Sequence, residues 1–329
     1  MNKYALDIKA VSSPLRAAFA ISRGAKTVAE TIQVSITHDG HTGRGESVPY
    51  ARYDETIASV TAEIEAIRTL ITAGLTRAEL QTTLPAGAAR CAVDCALWDL
   101  EAKISGTPVW QLADLPAPQP AETAVTISLD TPESMASAAA IAPGLLLKLK
   151  LSAENGLASV EAVHAARPDA RLILDGNEGI TANDLPAITK AAVDLGVVLI
   201  EQPLPADKDE ALARRPGPVA ICADESAHTS ADLQSLARRY DAVNVKLDKA
   251  GGLTEAIAMV QAARTSGMGV MIGCMVAGSL SMAPAMMLAG LADYVDLDGP
   301  LWLSEDIANG LSIKDGIIQP PTPALWGAR

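Results

Sequence analysis

Eight strand-length aliphatic runs, separated by helix-length segments, fill the chain from Ala124 to Leu297. They are Ala124–Leu129, Leu145–Lys150, Arg171–Asp175, Val197–Glu201, Val219–Asp224, Ala242–Lys246, Gly269–Cys274 and Tyr294–Leu297. Helical patterns such as Pro132–Ala142, Ala153–Ala166 and Leu253–Ser266 lie between them. Repeated strand–helix units with apolar strands predict a parallel sheet buried on both faces. Eight of them predict a closed α/β barrel of the TIM type rather than an open sheet.

Five of these runs end abruptly in charge, at Lys150, Asp175, Glu201, Asp224 and Lys246. A parallel barrel gathers its C-terminal strand ends into one pocket. Strand side chains alternate with period two, so Lys148 and Lys150 share one face while Leu147, Leu149 and Leu151 take the other. By the same parity Ile173, Asp175 and Asn177 align, as do Cys222 with Asp224 and Asn244 with Lys246. All the charged ends can therefore point into the mouth. Counted in order, the lysine pair sits on the second strand, the three carboxylates on the third to fifth, and Lys246 on the sixth. The second and sixth strands of an eight-stranded barrel stand opposite each other, with the carboxylates in the arc between.

Three hard oxygen donors suit Mg²⁺, with positions left for substrate oxygens. A divalent cation on a substrate carboxylate stabilises the enediolate formed when the α-proton leaves. A lysine serves as base only if its pKa is lowered, and a metal, a second ammonium and burial all push that way. Lysines on opposite faces let one remove the proton and the other return it from the far side, which inverts the carbon. Lys148 stays charged and holds the substrate carboxylate. Each residue alone has a blander reading as a solvated strand-end cap; the order of base, three ligands and base on consecutive units carries the signal.

Before the barrel the pattern changes. Lys3–Val11 and Val28–His38 alternate like strands of an antiparallel sheet, with a turn at His38–His41. Helical patterns follow at Glu55–Thr72, Arg77–Thr83 and Ala88–Ile104, and the Pro-rich Leu115–Pro120 reads as a boundary. The expected organisation is an α+β domain over residues 1–114, a barrel over 115–309, and a segment over 310–329 that rejoins the first domain. A hairpin turning at Lys314-Asp315-Gly316 opens that last segment.

Composition narrows the classes. With 26 basic and 39 acidic residues the net charge is −13, which opposes a nucleic-acid partner. Cys91, Cys95, Cys222 and Cys274 lack the spacing of a zinc site and read as buried free thiols of a reducing compartment. The start MNKYALDIKA lacks a signal-peptide core, so a cytoplasmic protein is expected. The uncharged stretch between Arg264 and Asp293 is broken by Gly, Ser and Pro284, which predicts a buried strand–helix pair and not a membrane span. No membrane partner is expected, and the pattern is compatible with a homo-oligomer.

The strand-end motifs resemble those of the enolase superfamily, in its muconate-cycloisomerase-like branch. The matching residues are Lys148-Leu149-Lys150, the DGN at Asp175, the EQP at Glu201, the ADES at Ala223–Ser226 and NVKLDKAGG at Asn244–Gly252. Ala89–Leu100 resembles that family's last helix before the barrel. The resemblance covers nearly the whole chain. It implies a capping domain over a modified (β/α)₇β barrel, with Mg²⁺ held by Asp175, Glu201 and Asp224 and Lys150 and Lys246 as the acid/base pair.

Within that family, Asp296-Leu297-Asp298 resembles the signature of dipeptide epimerases, where two carboxylates bind an α-ammonium. A turn or helix N-cap at Asp298 before Gly299-Pro300 is the plainer alternative. Phe19–Lys26 reads as a loop of the capping domain, and Arg23 resembles the arginine that meets an acidic side chain in Ala-Glu epimerases; Arg16 and Lys26 compete for that role. The implied activity is epimerisation of L-Ala-D/L-Glu at its C-terminal residue, in murein peptide recycling. Muconate cycloisomerase and o-succinylbenzoate synthase would use the same lysines, but the aspartate pair argues against their ammonium-free substrates. A Schiff-base aldolase needs one lysine and no carboxylate triad. A silent metal- or peptide-binding relative would not need both lysines. Glu178 has no role in this reading.

Overall fold

The computed structural model describes residues 4–154, 156–214 and 216–327. Its first domain is a three-stranded antiparallel sheet, β1 (Ala5–Ile21), β2 (Gly24–His38) and β3 (His41–Ser47), in sequence order. Lys3, the start of the expected first strand, lies outside the described residues. The helix Ala88–Ser105 packs on this sheet. It comes so close that a Cβ on Gly43 or Gly45 would stand 2.1 Å from the Ala96 or Ala92 carbonyl oxygen. Only glycine lets the backbones meet there. Shorter helices Ile57–Ala66, Arg68–Thr72 and Arg77–Thr83 complete the domain. Thr56 and Thr76 cap two of them with reciprocal capping boxes.

One expectation is corrected here. The segment Phe19–Lys26 is not a loop but the tip of a long hairpin, with Phe19 opposite Lys26 and Ile21 opposite Gly24. Pro14 and a register shift between Pro14 and Phe19 interrupt the alternation, which hides the continuity of β1 from the sequence. The turn holds Ser22 and Arg23, and Gly24 follows with φ 134°.

After a short strand β4 (Ala121–Glu122) come eight parallel strands in unbroken order. They are β5 (Val125–Ile127), β6 (Leu146–Lys150), β7 (Arg171–Asp175), β8 (Val197–Glu201), β9 (Ile221–Ala223), β10 (Ala242–Lys246), β11 (Gly269–Gly273) and β12 (Tyr294–Asp296). The Ala124 N–H donates to Val295 O at 2.8 Å and the Leu297 N–H to Thr123 Oγ1 at 2.8 Å, drawing first and last strands together. Asn155, inside the expected helix Ala153–Ala166, lies outside the described residues; the helix observed there is Gly156–Ala166. The uncharged stretch forms β11 and the helix Ser279–Ala285 with Pro284 inside it, and no helix among the described residues is long and apolar enough to cross a membrane.

The strand parity sorts the barrel. Leu147, Leu149 and Leu151 join the core under the helices. Leu146, Ile173, Leu199, Cys222, Ala242 and Met271 form a separate apolar cluster inside the barrel, below the charged ends. At the opposite end of the barrel from those charges, β13 (Ile313–Lys314) and β14 (Ile317–Ile318) pair with β4. Beyond that hairpin Trp326 packs into the first domain, donating to Arg44 O at 3.0 Å and Cys95 O at 3.2 Å.

The two domains are bolted at the Lys246–Thr254 segment. Asp248 accepts the Val48 N–H at 2.7 Å, Arg90 donates to Ala250 O at 2.6 Å, and Asp94 accepts both the N–H and the hydroxyl of Thr254. Gly251 and Gly252 have φ 85° and 113°, and a Cβ on them would stand 2.3 Å from Arg90 Nε and 2.5 Å from Asp94 Cβ. The AGG sequence is what allows this contact.

Candidate active site

Register places the charged ends side by side: Lys150 opposite Asp175, Asp175 opposite Glu201, and Lys246 opposite Gly273, which faces Asp296. All of these charged ends are buried. Ammonium and carboxylate groups alternate across the floor. Lys150 Nζ lies 2.6 Å from Asp175 Oδ2. Lys148 Nζ bridges Asp175 (3.0 Å), Glu201 (2.7 Å) and Asp296 (2.7 Å). Lys246 Nζ lies 2.7 Å from Asp224 Oδ2 and 3.9 Å from Glu201 Oε1. Lys249 adds a second ammonium to Asp224, 2.6 Å from Oδ1.

Electrostatics follows this ladder. Burial drives Glu201 up, Asp175 adds to it, and the carboxyl reaches about 7. Asp224 is buried too, but Lys246 and Lys249 outweigh that and hold it well below the usual carboxylate range. Burial pulls Lys148 and Lys246 down, yet the surrounding carboxylates win. Both sit well above an ordinary lysine, Lys148 mainly through Asp175 and Asp296 and Lys246 mainly through Asp224 and Glu201. Burial and the second ammonium alone therefore do not depress Lys246: against protein groups alone it is a poor base at neutral pH, and the lowering expected from a metal is a separate contribution.

That need bears on the metal. Among the described residues no three His, Cys, Asp or Glu side chains already converge as a cage, because Lys148 and Lys246 stand between the carboxylates. The donor set nonetheless fits a hard divalent cation: three buried carboxylates on adjacent strands, all oxygen. Glu201 Oε2 has Lys148 2.7 Å away but off hydrogen-bonding geometry, and accepts no hydrogen bond. A further positive charge here would answer the carboxylates that now hold Lys246 protonated.

Strand geometry and loop bonds hold these carboxylate side chains. Asn244 donates to Glu201 Oε1 at 2.7 Å, and the Asn177 N–H to Asp175 Oδ1 at 3.0 Å. Gln202, after Glu201, accepts the N–H groups of Asp224 and Ser226 and donates to Tyr240, tying the exits of β8 and β9 together. Lys249, Gln202 and Asn244 all sit in the quoted motifs, so their positions were visible while their partners were not.

Above this floor a cavity of about 450 Å³ opens between the barrel mouth and the first domain. Lys148, Lys150, Asp224, Lys246, Asp296 and Asp298 line its base, and the β1–β2 hairpin tip and Tyr50–Tyr53 line its roof. Asp175 and Glu201 lie beneath the lysines. β12 ends at Asp296, and Asp298 occupies the N-cap position of the short helix Gly299–Trp302 without a capping bond. Its Oδ2 accepts the Thr126 N–H at 2.7 Å and Trp302 Nε1 at 3.4 Å. Asp296 Oδ1 has no hydrogen-bond partner. Burial and the neighbouring Asp296 raise Asp298 to about 6.

Arg23 reaches this cavity from the hairpin tip. It donates to Asn177 O (2.7 Å), Glu178 (3.0 Å), Tyr50 (3.0 Å) and Glu225 (2.7 Å). Glu178 also takes a two-pronged contact from Arg52 at 2.7 and 2.8 Å and the Ala206 N–H at 2.9 Å. Glu178 thus clasps the roof to the barrel, a role no local pattern announces. Arg16 is remote from the carboxylates and donates to Leu303 O at 2.6 Å. Lys26 lines the cavity. His38 stacks on Tyr4 and His228 meets the Glu225 carbonyl; neither joins the charged floor.

An α+β cap over a parallel barrel with lysines and carboxylates at its strand ends defines an enolase-type enzyme. The chain matches the family described as mandelate racemase / muconate lactonizing enzyme, N-terminal domain, over residues 4–113, and enolase C-terminal domain-like over residues 135–325, and it belongs to the enolase superfamily. It is 44% identical over 92% of its length, and 95% of the other chain, to the L-Ala-D/L-Glu epimerase of Escherichia coli. It is 46% identical over 87% of its length, and 91% of the other, to an N-acetyl-D-glutamate racemase of a Pseudoalteromonas species. Among solved structures, an enolase family member from Agrobacterium tumefaciens with homology to dipeptide epimerases, with bound sodium and L-Ala-L-Glu, superposes with TM-score 0.96 at 48% identity, covering 99% of this chain and all of that one. The protein is an isomerase of the racemase and epimerase type.

Proposed function

We propose that the protein is a Mg²⁺-dependent dipeptide epimerase that inverts the C-terminal residue of L-Ala-D/L-Glu by two-base proton transfer, in murein peptide recycling. The observation that carries this reading is the placement of Lys150 and Lys246. They rise from β6 and β10, four positions apart in the eight-strand order, with β7 to β9 and their carboxylates between. A carbon held over the carboxylates between them presents one face to each ammonium.

Asp175, Glu201 and Asp224 would hold Mg²⁺, which supplies positive charge against the substrate carboxylate and the negative charge that grows as the α-proton leaves. Lys148, pinned among three carboxylates and strongly protonated, stays a cation and holds the substrate carboxylate. One of Lys150 and Lys246 takes the α-proton and the other returns one to the opposite face. Asp296 and Asp298 lie in the cavity base, where a free amino end would sit, and Arg23, in the roof, would face the acidic side chain.

A second reading follows from Asp298. Its Oδ2 is already occupied by Thr126 and Trp302, which leaves less carboxylate for an ammonium group. That favours an N-acylated glutamate, the kind of substrate in the Pseudoalteromonas relative's name. One experiment separates the two. The protein and Mg²⁺ are incubated in deuterated water with a dipeptide library that includes L-Ala-L-Glu, and with N-acetyl-glutamate. The proposal expects one deuterium at the C-terminal α-carbon of L-Ala-L-Glu; incorporation into N-acetyl-glutamate alone selects the second reading, and none anywhere rejects both.

A further inference from the structure

Each of the carboxylates Asp175, Glu201 and Asp224 divides its two oxygens in the same way. Asp175 Oδ1 accepts the Asn177 N–H at 3.0 Å, while Oδ2 meets Lys150 at 2.6 Å and Lys148 at 3.0 Å. Glu201 Oε1 accepts Asn244 Nδ2 at 2.7 Å, while Oε2 faces Lys148 and accepts no hydrogen bond. Asp224 Oδ1 meets Lys249 at 2.6 Å, while Oδ2 meets Lys246 at 2.7 Å. One oxygen of each pair therefore faces Lys148, Lys150 or Lys246, and the other is committed elsewhere.

The two kinds of partner differ in what they can give up. Lys148, Lys150 and Lys246 line the cavity on flexible stems, so each can surrender an oxygen to a cation. Asn177 offers a backbone N–H, and Asn244 a fully buried amide. Lys249 is the unusual member. It is 2% exposed, on the short helix Leu247–Ala250, and stands outside the cavity lining. All its donors are used, on Asp224 Oδ1, the Asp224 carbonyl and, at 3.3 Å, the Asn244 carbonyl. An ammonium so placed and so occupied has no route to a substrate. What it does is hold one oxygen of Asp224.

We infer that Lys249, with Asn244 and the Asn177 N–H, limits each carboxylate to a single oxygen for the metal, and that Lys249 thereby sets a preference for a small octahedral cation over a larger one. The assignment rests on the reading of Asp175, Glu201 and Asp224 as the Mg²⁺ site. Single oxygens from three carboxylates leave the rest of an octahedron for substrate and water, which suits Mg²⁺. Ca²⁺ takes about six to eight oxygens and gains from carboxylates that bind through both. Freeing Oδ1 of Asp224 would supply such a carboxylate. Lys249 is thus a positioning residue, acting on the cation through Asp224.

A plain counter-charge would behave differently. Mg²⁺ and Ca²⁺ carry the same charge, so loss of a neighbouring ammonium strengthens the binding of both alike. General loosening of the floor weakens both alike. The ratio of the two affinities isolates the geometric effect.

The test is calorimetric titration of the full-length protein, cleared of metal with a chelator, with Mg²⁺ and separately with Ca²⁺, in the absence of substrate. Wild type should bind Mg²⁺ at least as tightly as Ca²⁺. In Lys249→Met the ratio of Ca²⁺ to Mg²⁺ affinity should rise at least about 10-fold, the low end of what partners of metal ligands contribute. Asn244→Ala, which releases Glu201 Oε1, should move the ratio in the same direction. Thermal melting identifies the variants that fold. An unchanged ratio in folded Lys249→Met overturns the assignment, even if both affinities change together. If that variant does not fold, an unchanged ratio in Asn244→Ala overturns the single-oxygen limit. Tighter binding of Ca²⁺ than of Mg²⁺ by wild type overturns it with no variant needed. Saturable binding of neither cation by wild type rejects the metal reading itself, and this assignment with it.

Discussion

The floor and the roof of the cavity are built on opposite rules. On the floor, Lys148, Lys150, Lys246 and Lys249 interleave with Asp175, Glu201, Asp224 and Asp296, all buried and all on barrel strands or their immediate exits. In the roof, Arg23 and Lys26 share the hairpin tip, Arg52 comes from the Tyr50–Tyr53 segment, and the clasp through Glu178 is partly exposed. Buried charge in fixed register favours one chemistry. Partly exposed charge on a hairpin tip is weaker and more adjustable. The floor would set the reaction, and the roof which substrate meets it.

That contrast can be broken by substitution. The largest effect should come from Asp224→Ala, which leaves Lys246 and Lys249 buried without their shared carboxylate. Urea unfolding in the absence of added metal should show a loss of roughly 3–5 kcal/mol. A loss under about 1 kcal/mol would mean that floor charges are as loosely coupled as surface pairs.

Next comes the bolt between the domains. Gly252→Ala forces a side chain at φ 113° into Asp94, and should cost about 1–3 kcal/mol by the same assay. If the domains separate easily, the cost falls towards zero and the roof is not fixed by this contact.

Smaller is the clasp itself. Glu178→Ala removes partners from Arg23 and Arg52, whose side chains are 27% and 37% exposed, so solvent screening leaves under about 1 kcal/mol of stability at stake. The KM of every dipeptide should rise about two- to fivefold, and added salt should produce a similar rise in the wild type. A larger stability loss would place the clasp with the floor.

The same contrast explains what the sequence discloses. The floor is legible because a strand that is apolar throughout and then ends in charge has one sensible placement, and period two fixes which face each residue takes. Lys148, Lys150, Asp175, Glu201, Asp224 and Lys246 were all found that way. What parity cannot give is the sign of a pKa shift: against protein groups alone Lys246 lies high, because that depends on how closely Asp224 and Glu201 approach it. The roof is less legible. Pro14 and the bulge after it hid the hairpin, so Lys26 and Arg23 read as loop residues. Glu178 meets Arg52 across 126 positions of sequence, and neither has a periodic neighbour to mark it.

The central claim is that Lys150 and Lys246 address opposite faces of one carbon. The measurement is α-proton exchange in deuterated water, starting separately from L-Ala-L-Glu and L-Ala-D-Glu, with Lys150→Ala and Lys246→Ala. Each variant should lose inversion by about 10³-fold, yet each should still wash deuterium into only one of the two diastereomers, and into different ones. Inversion at the wild-type rate in either variant, or exchange of the same diastereomer by both, would contradict two opposed bases.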